Sequence, residues 1–148
     1  MTTIRINPDN VWADNEFPFN QAVVEPEGKR VHLTGQVAWD RNGNVIGRND
    51  AGKQTKCAID NIIKILAGLG GKLDDIVSMT MYYVNDEDLP DIQNERIRRF
   101  KKGTGPAVTG VKVAGLVDPE LLVELTVMAV IPNERFSEKI KLNDSIQR

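Results

Sequence analysis

Apolar residues along this chain change their spacing several times, and each change marks an element. Residues 21–25 (QAVVE) and 30–38 (RVHLTGQVA) read as two strands joined by a turn at Pro26-Glu27-Gly28. Residues 1–18 show no period and are expected to be irregular, with Trp12 and Phe17 as anchors. From Ala51 to Leu69 the period becomes helical: Ala58, Ile59, Ile62, Ile63, Ile65, Leu66 and Leu69 fall on one broad face, and Gly70-Gly71 ends it. The run IVSMTMYYV within 74–84 predicts a strand. Asp88 with Pro90 predicts the start of a second helix, whose narrower stripe is Leu89, Ile92, Arg96, Ile97 and Phe100 and whose end is Gly103. The stretch TGPAVTGVKVAGL (104–116) opens on Gly-Pro, which suits neither a helix interior nor a central strand, and then runs through small and β-branched residues. It reads as a strand. A turn at Val117-Asp118-Pro119 leads to the last strand, LLVELTVMAVI (121–131), stopped by Pro132.

The predicted order is strand, strand, helix, strand, helix, strand, strand, an α/β (α+β) sheet with two helices. Two helices cover only one face of such a sheet. In the last strand Leu121, Val123, Leu125, Val127, Ala129 and Ile131 share one face, yet the other face, with Leu122, Met128 and Val130, is also mostly apolar. A strand apolar on both sides is buried on both sides. A second copy of the chain is the simplest cover, so a homo-oligomer is expected. One domain, residues 1–132, is followed by a polar extension, 133–148, expected to dock on the body or on a neighbouring subunit.

Composition narrows the function classes. A chain of 148 residues is the size of one domain with a real core, and 41% apolar with 27% charged residues is ordinary for a globular protein. A net charge of −2 and only short basic clusters give no electrostatic footprint for nucleic acid. The single cysteine, Cys57, allows no intrachain disulfide and reads as a small core residue. No charged-then-apolar leader opens the chain, and no apolar run reaches the ~18 residues of a membrane span, so a reducing cytoplasm is expected. One His and one Cys exclude most thiolate or imidazole metal sites. The loop DRNGN (40–44) imitates the start of a calcium loop, but Val45 and Ala51 stand where Gly and Glu are needed. It reads as a tight turn with Asn42-Gly43 supplying positive φ angles.

Glu124 is the most informative single residue, the only acid inside an eleven-residue apolar strand. A carboxylate there must be paired, hydrogen-bonded or open to a cleft, and a cleft would make it a general acid/base or water-positioning group. Thr34 precedes Gly35, and a glycine inside a strand implies the close approach of a ligand or another backbone. His32 has no visible partner and reads as a surface residue. Gln93 and Asn94 sit in the middle turn of the second helix. No Ser/His/Asp order, phosphate loop or dinucleotide fingerprint is present, and GLGGK (68–72) follows a helix, so it reads as a helix end.

Several ordered stretches together resemble the RidA/YjgF family of reactive-intermediate deaminases: LTGQVAWD…GNVIG, QTKCAIDNIIKILAGLGGKLDDIV, MTMYYVNDEDL, GPAVTGVKVAGL and LLVELTVMAVIP. The resemblance covers about residues 18–132. It implies a chorismate-mutase-like fold, a six-stranded mixed sheet with two helices on one face, and a homotrimer whose sheets form a central barrel with three clefts between subunits. It also implies hydrolysis of enamine and imine intermediates to a keto acid and ammonia, as by a 2-iminobutanoate/2-iminopropanoate deaminase, with no cofactor. Carried onto this chain, the family's water-positioning glutamate matches Glu124, and its serine matches Thr34. Its tyrosine matches Phe19, its helix asparagine aligns with Gln93, and its frequent cysteine falls at Gly110. Its carboxylate-gripping arginine falls at Val108. A charge-assisted bond is worth about 1.5–3 kcal/mol, so this replacement implies at least tenfold to a hundredfold weaker binding of an imino acid. Lys112, which shares the parity of Val108, is a candidate for the missing charge.

Two classes of function follow: a hydrolase of a small imine-type metabolite, and a non-catalytic trimer that binds small metabolites. An endoribonuclease would need the basic groove that the charge pattern lacks. Chorismate-mutase chemistry, suggested by fold alone, would need arginines in the cleft.

Overall fold

The computed structural model describes residues 2–14 and 16–138. The chain builds β1 (Ile4–Ile6), β2 (Ala22–Val24), β3 (Lys29–His32), α1 (Ala51–Ala67), β4 (Ile76–Tyr83), α2 (Leu89–Arg99), β5 (Ala107–Lys112) and β6 (Val123–Ile131). Four strands form a mixed sheet in the order β3-β6-β4-β5, and β1 pairs antiparallel with β2 as a separate ribbon. The six strands and two helices give the expected mixed α+β architecture, divided between a sheet of four and a ribbon of two. Strands β4 and β5 are parallel, and α2 makes the crossover between them, as parallel neighbours require.

Both helices lie on one face of the sheet. Ile59, Ile62 and Leu66 of α1 and Ile92 of α2 are fully buried in one cluster with Met79 and Met81 of β4 and Val123, Leu125, Val127 and Ala129 of β6. This confirms the helical period of α1. Its N-terminus is capped by Asp50, whose side chain accepts from the Lys53 amide at 2.9 Å. Gly70 closes the end of the helix at φ +80°, where a Cβ would stand 2.1 Å from the Arg135 carbonyl oxygen, so glycine is required twice over.

Four details depart from the sequence reading. Residues 1–18 are not wholly irregular, because Ile4–Ile6 pairs with Ala22–Val24. A run of three residues carries too little pattern to announce a strand; its register is set by tertiary anchors. Arg5 Nε donates to the Gly105 carbonyl at 3.1 Å, and the buried Asn20 donates through Nδ2 to the carbonyls of Lys102 and Gly105 at 2.8 Å. Second, the strand expected over 30–38 stops at His32: the Leu33 amide still donates to the Val127 carbonyl of β6 at 3.3 Å, and Gln36 bridges to Leu125. Third, α2 ends at Arg99, with Phe100 turning to extended backbone, four residues before the expected stop at Gly103. Fourth, in the 40–44 turn only Gly43 takes a positive φ, +80°. The Asp40 carboxylate organises the rest by accepting from the backbone amides of Asn42 and Asn44. Those bonds, the Asn44 amide first, hold its carboxyl below the usual range. Among the described residues no group of His, Cys, Asp and Glu could hold a metal ion, and no helix is long and apolar enough to cross a membrane.

The start of the polar extension docks on its own chain. Arg135 pairs with Asp75 at 2.5 Å and donates to the Gly70 carbonyl at 3.0 Å, while the Ser137 amide donates to the Leu69 carbonyl. The expectation for the rest of the tail, from residue 139, lies outside the described residues.

Candidate functional site

Strand register divides the candidate residues between the two faces of the sheet. Met79 pairs with Val127 and Val108, Met81 with Leu125 and Gly110, and Tyr83 with Val123 and Lys112. These residues point toward the helices. On the opposite face Tyr82 pairs with Glu124 and Val111, and Thr80 with Thr126 and Thr109. Glu124 and Val108 therefore point away from one another within one chain.

On the open face, Glu124 is half-buried. Its side chain lies across Gly35: a Cβ built there would sit 2.2 Å from Glu124 Oε2 and 2.8 Å from its carboxyl carbon. The glycine was expected to admit a ligand or another backbone, and its close neighbour is the Glu124 carboxylate. No ion pair among the described residues engages Glu124. Its strand is held from beneath by the buried Gln54, whose Oε1 accepts from the Leu122 amide at 2.8 Å and whose Nε2 donates to the Glu120 carbonyl at 2.9 Å. Thr34 is exposed beside Gly35, and both stand on the rim of an open groove that also includes Trp39, Cys57 and Asn61. Burial first, with the Asp60 charge second, pushes the Cys57 thiol up and works against a thiolate there. His32 is exposed opposite Met128 in the β3–β6 pair.

On the helix side, at the β5 edge, a cavity of about 150 Å³ is lined by Phe19, Gln93, Val108 and Gly110, together with Trp12 and Arg96. The structure thus gathers four of the six candidate residues in one place and holds Glu124 and Thr34 elsewhere. Nothing in the chain requires glycine at 110. Its φ is not positive, and an added Cβ would meet only Met81 Cε, at 3.4 Å, an ordinary contact. A longer side chain there would fill the cavity. Trp12 is 68% exposed and does not anchor the N-terminal segment in the core; its ring leans on Phe19, centroids 5.6 Å apart. Lys102 Nζ stands 5.8 Å from the Phe19 ring centroid. Lys112 does not enter the cavity. It pairs with Asp86 at 2.9 Å on the surface, and that hydrogen bond raises its pKa.

The residue that sequence reasoning passed over is Arg96. It is 3% exposed, and burial lowers its pKa to about 10. Its Nη1 donates to Gln93 Oε1 at 2.5 Å and lies 3.9 Å from Met81 Sδ, while Nε is buried without a partner among the described residues. The signal was in the pattern, because Arg96 occupies a stripe position otherwise filled by Leu89, Ile92 and Phe100. Ile97, assigned to the same stripe, is 37% exposed.

Among known proteins, the model of the family described as "Endoribonuclease L-PSP" matches residues 13–131. A protein of the conserved Rid family from Yersinia pestis, YyfB, is 29% identical and superposes with a TM-score of 0.79 over 88% of this chain and 100% of that one. A second Rid protein from Yersinia pestis, YyfA, is 26% identical with a TM-score of 0.64 over 87% of this chain and 99% of that one. A YjgF-family member from Mycobacterium tuberculosis, 24% identical, shares the fold at a TM-score of 0.60 over 76% of this chain and 86% of that one. With this match over most of its length, the chain belongs to the Rid/YjgF family, the one described as Endoribonuclease L-PSP.

Proposed function

We propose that this chain is a hydrolase of a small enamine- or imine-type metabolite, working as a homo-oligomer, a trimer by family resemblance, in clefts between subunits. One observation carries the reading: the Glu124 carboxylate, in no ion pair among the described residues, and the small cavity bearing Phe19, Gln93, Val108 and Gly110 lie on opposite faces of one sheet. A single chain cannot bring both to one small molecule. A second copy laid on the open face would bring the Glu124 of one chain to the cavity edge of the next. That face has room for cover at Glu124, Thr126 and Met128, which are half-buried, while Val130 at its far end is already buried by its own chain.

The chemistry needs water as its only co-reactant and no cofactor. An enamine takes a proton on carbon and becomes its iminium ion, the protonated form of the imine. Glu124 accepts a proton from water as the oxygen adds to the C=N carbon and gives the carbinolamine. The carbinolamine nitrogen takes that proton back from Glu124 and leaves as ammonia, and loss of the remaining hydroxyl proton gives the carbonyl product. General-base assistance of this kind is worth about 10²–10⁴-fold. Thr34, exposed beside Gly35, would orient water or substrate by its hydroxyl. Phe19 gives the cavity an apolar wall where the family has a phenol, and Val108 removes the family's arginine. In this reading the working domain ends at residue 132, and 133–148 is an extension pinned at its start by Arg135.

The test is an imine-trapping assay. Imines are generated in situ by an amino-acid oxidase or lyase, survivors are trapped with semicarbazide, and wild type is compared with Glu124→Gln. Acceleration by wild type and not by the variant is expected. Wild type at the uncatalysed rate across a panel of imines would remove the hydrolase reading and leave a metabolite-binding protein. Light scattering that shows monomers at working concentration would remove the inter-subunit site.

A further inference from the structure

Arg96 has no evident structural reason to be where it is. A guanidinium carries five donors and a charge, and its removal from water is costly unless acceptors and a counter-charge surround it. Here one side-chain oxygen, Gln93 Oε1, and a sulfur are its only partners among the described residues. Nε is buried and unpaired among the described residues. The acid one position before it, Glu95, is committed to Arg98 at 2.5 Å. None of the seven ion pairs among the described residues includes Arg96. It is also the one titratable side chain among the residues that line the β5-edge cavity. The rest of that lining is aromatic, aliphatic, thioether, amide or glycine.

We infer that this cavity is an anion pocket in which the Arg96 guanidinium, held by Gln93, grips the carboxylate of a small and otherwise apolar molecule. The positive charge that the resemblance expects on β5 at position 108 is supplied instead from helix α2. Both side chains line the same space, and valine at 108 leaves Arg96 more room to meet a ligand than an arginine there would. The volume, about 150 Å³, suits a molecule on the order of six non-hydrogen atoms. A three- or four-carbon 2-oxo or 2-imino acid fits that description. Planar, bidentate recognition of a carboxylate is the task for which a guanidinium is suited, and the unused donors are its means. Gln93 serves as a positioning residue, since its carbonyl oxygen fixes the fork and its neutrality leaves the charge free. The inference rests on the hydrolase reading for what happens to the ligand; the pocket's preference for an anion stands on Arg96 itself.

Binding tests this apart from turnover. Calorimetric titrations of the full chain would use 2-oxobutanoate, a stable stand-in for an imino acid, and its neutral amide. Wild type is expected to prefer the acid by tenfold or more. Arg96→Met should lose that preference and melt at the same temperature or higher, because it removes an unpaired buried charge. Gln93→Glu keeps the arginine and the shape but supplies an internal carboxylate, and it should lose the preference as well. If Arg96→Met does not fold, Gln93→Glu alone decides. An acid preference that survives in either folded variant, or no preference in wild type, overturns the inference. If the preference behaves as expected but no imine is hydrolysed, the pocket stands and the hydrolase reading falls. If wild type and Arg96→Met hydrolyse charged and neutral imines equally well, the hydrolase reading stands and the pocket falls.

Discussion

The two faces of the sheet treat charge differently. On the helix side, Leu125 and Val127 of β6 and Met79 of β4 are closed over by α1 and α2, and the one charge that enters, Arg96, is locked in at 3% exposure. On the other side, Glu124 stays half-buried among threonines and a tyrosine, with Gly35 cut away to make room for it. The first face is completed by its own chain except for one small cavity. The second is left half-exposed at Glu124, Thr126 and Met128. The cavity and the carboxylate therefore fall at different places: the cavity is built but holds no acid, and the Glu124 carboxylate lies outside it.

Four changes break or sharpen this contrast, in falling order of effect. Glu124→Gln keeps the shape of the open face and removes its carboxylate; imine hydrolysis in the trapping assay should fall by about 10²-fold or more, with the melting temperature little changed. Gly35→Ala should act on the same carboxylate by steric means, because the new methyl would occupy the place of Glu124 Oε2. A loss of about tenfold in rate is expected, with binding of 2-oxobutanoate by the helix-side cavity retained. An unchanged rate would show that Glu124 need not lie where it does.

The third change is pH. The Arg96 pKa is lowered to about 10 by burial, and the charged form is the one that binds an anion. Affinity for 2-oxobutanoate should therefore be flat from about pH 6 to 9 and weaken as pH rises through 10, about tenfold per unit beyond it. The same shift has a stability sign. The folded state holds this proton less tightly than the unfolded chain, so the penalty of the buried charge is fully present below pH 10 and is relieved as pH rises toward the unfolded value. Arg96→Met should accordingly melt about 2–5 °C above wild type at pH 7, and the gap should narrow above pH 10. The smallest effect belongs to Lys112→Met, which breaks an exposed pair with Asp86. Carboxylate affinity should not change, and the melting temperature should stay close to that of wild type, since an exposed pair is screened by solvent.

Much of the contrast was legible in the sequence. Helix α1 was plain because seven apolar residues keep one period between a cap and a pair of glycines. The two-sided apolar character of 121–131 predicted burial on both faces, which the structure gives on the helix side and, at Val130, on the other, and Glu124 stood out in that strand because an acid is expensive there. Gly35 announced a close approach, but the approaching group comes from a distant strand, and only the β3–β6 pairing brings them together. Parity along β5 put Lys112 on the same face as Val108, which is correct; it could not show that Lys112 lies beyond the cavity, bound to Asp86. Arg96 was read as a stripe position and passed over, because a pattern tells that a residue is buried and not whether a carboxylate meets it there. Strand β1 was missed because three residues held by Arg5 and Asn20 depend on partners that follow much later in the chain.

The central claim is that Glu124 of one chain works on a ligand held by another. Mixed assembly tests it directly. Chains carrying Glu124→Gln keep the cavity, and chains carrying Gly110→Leu, which fills it, keep the carboxylate. Each alone should be inactive in the trapping assay. Unfolded together in equal amounts and refolded, they should regain about a quarter of the wild-type rate, since about one interface in four pairs an intact carboxylate with an intact cavity. A mixture no more active than its two components would contradict a site shared between subunits.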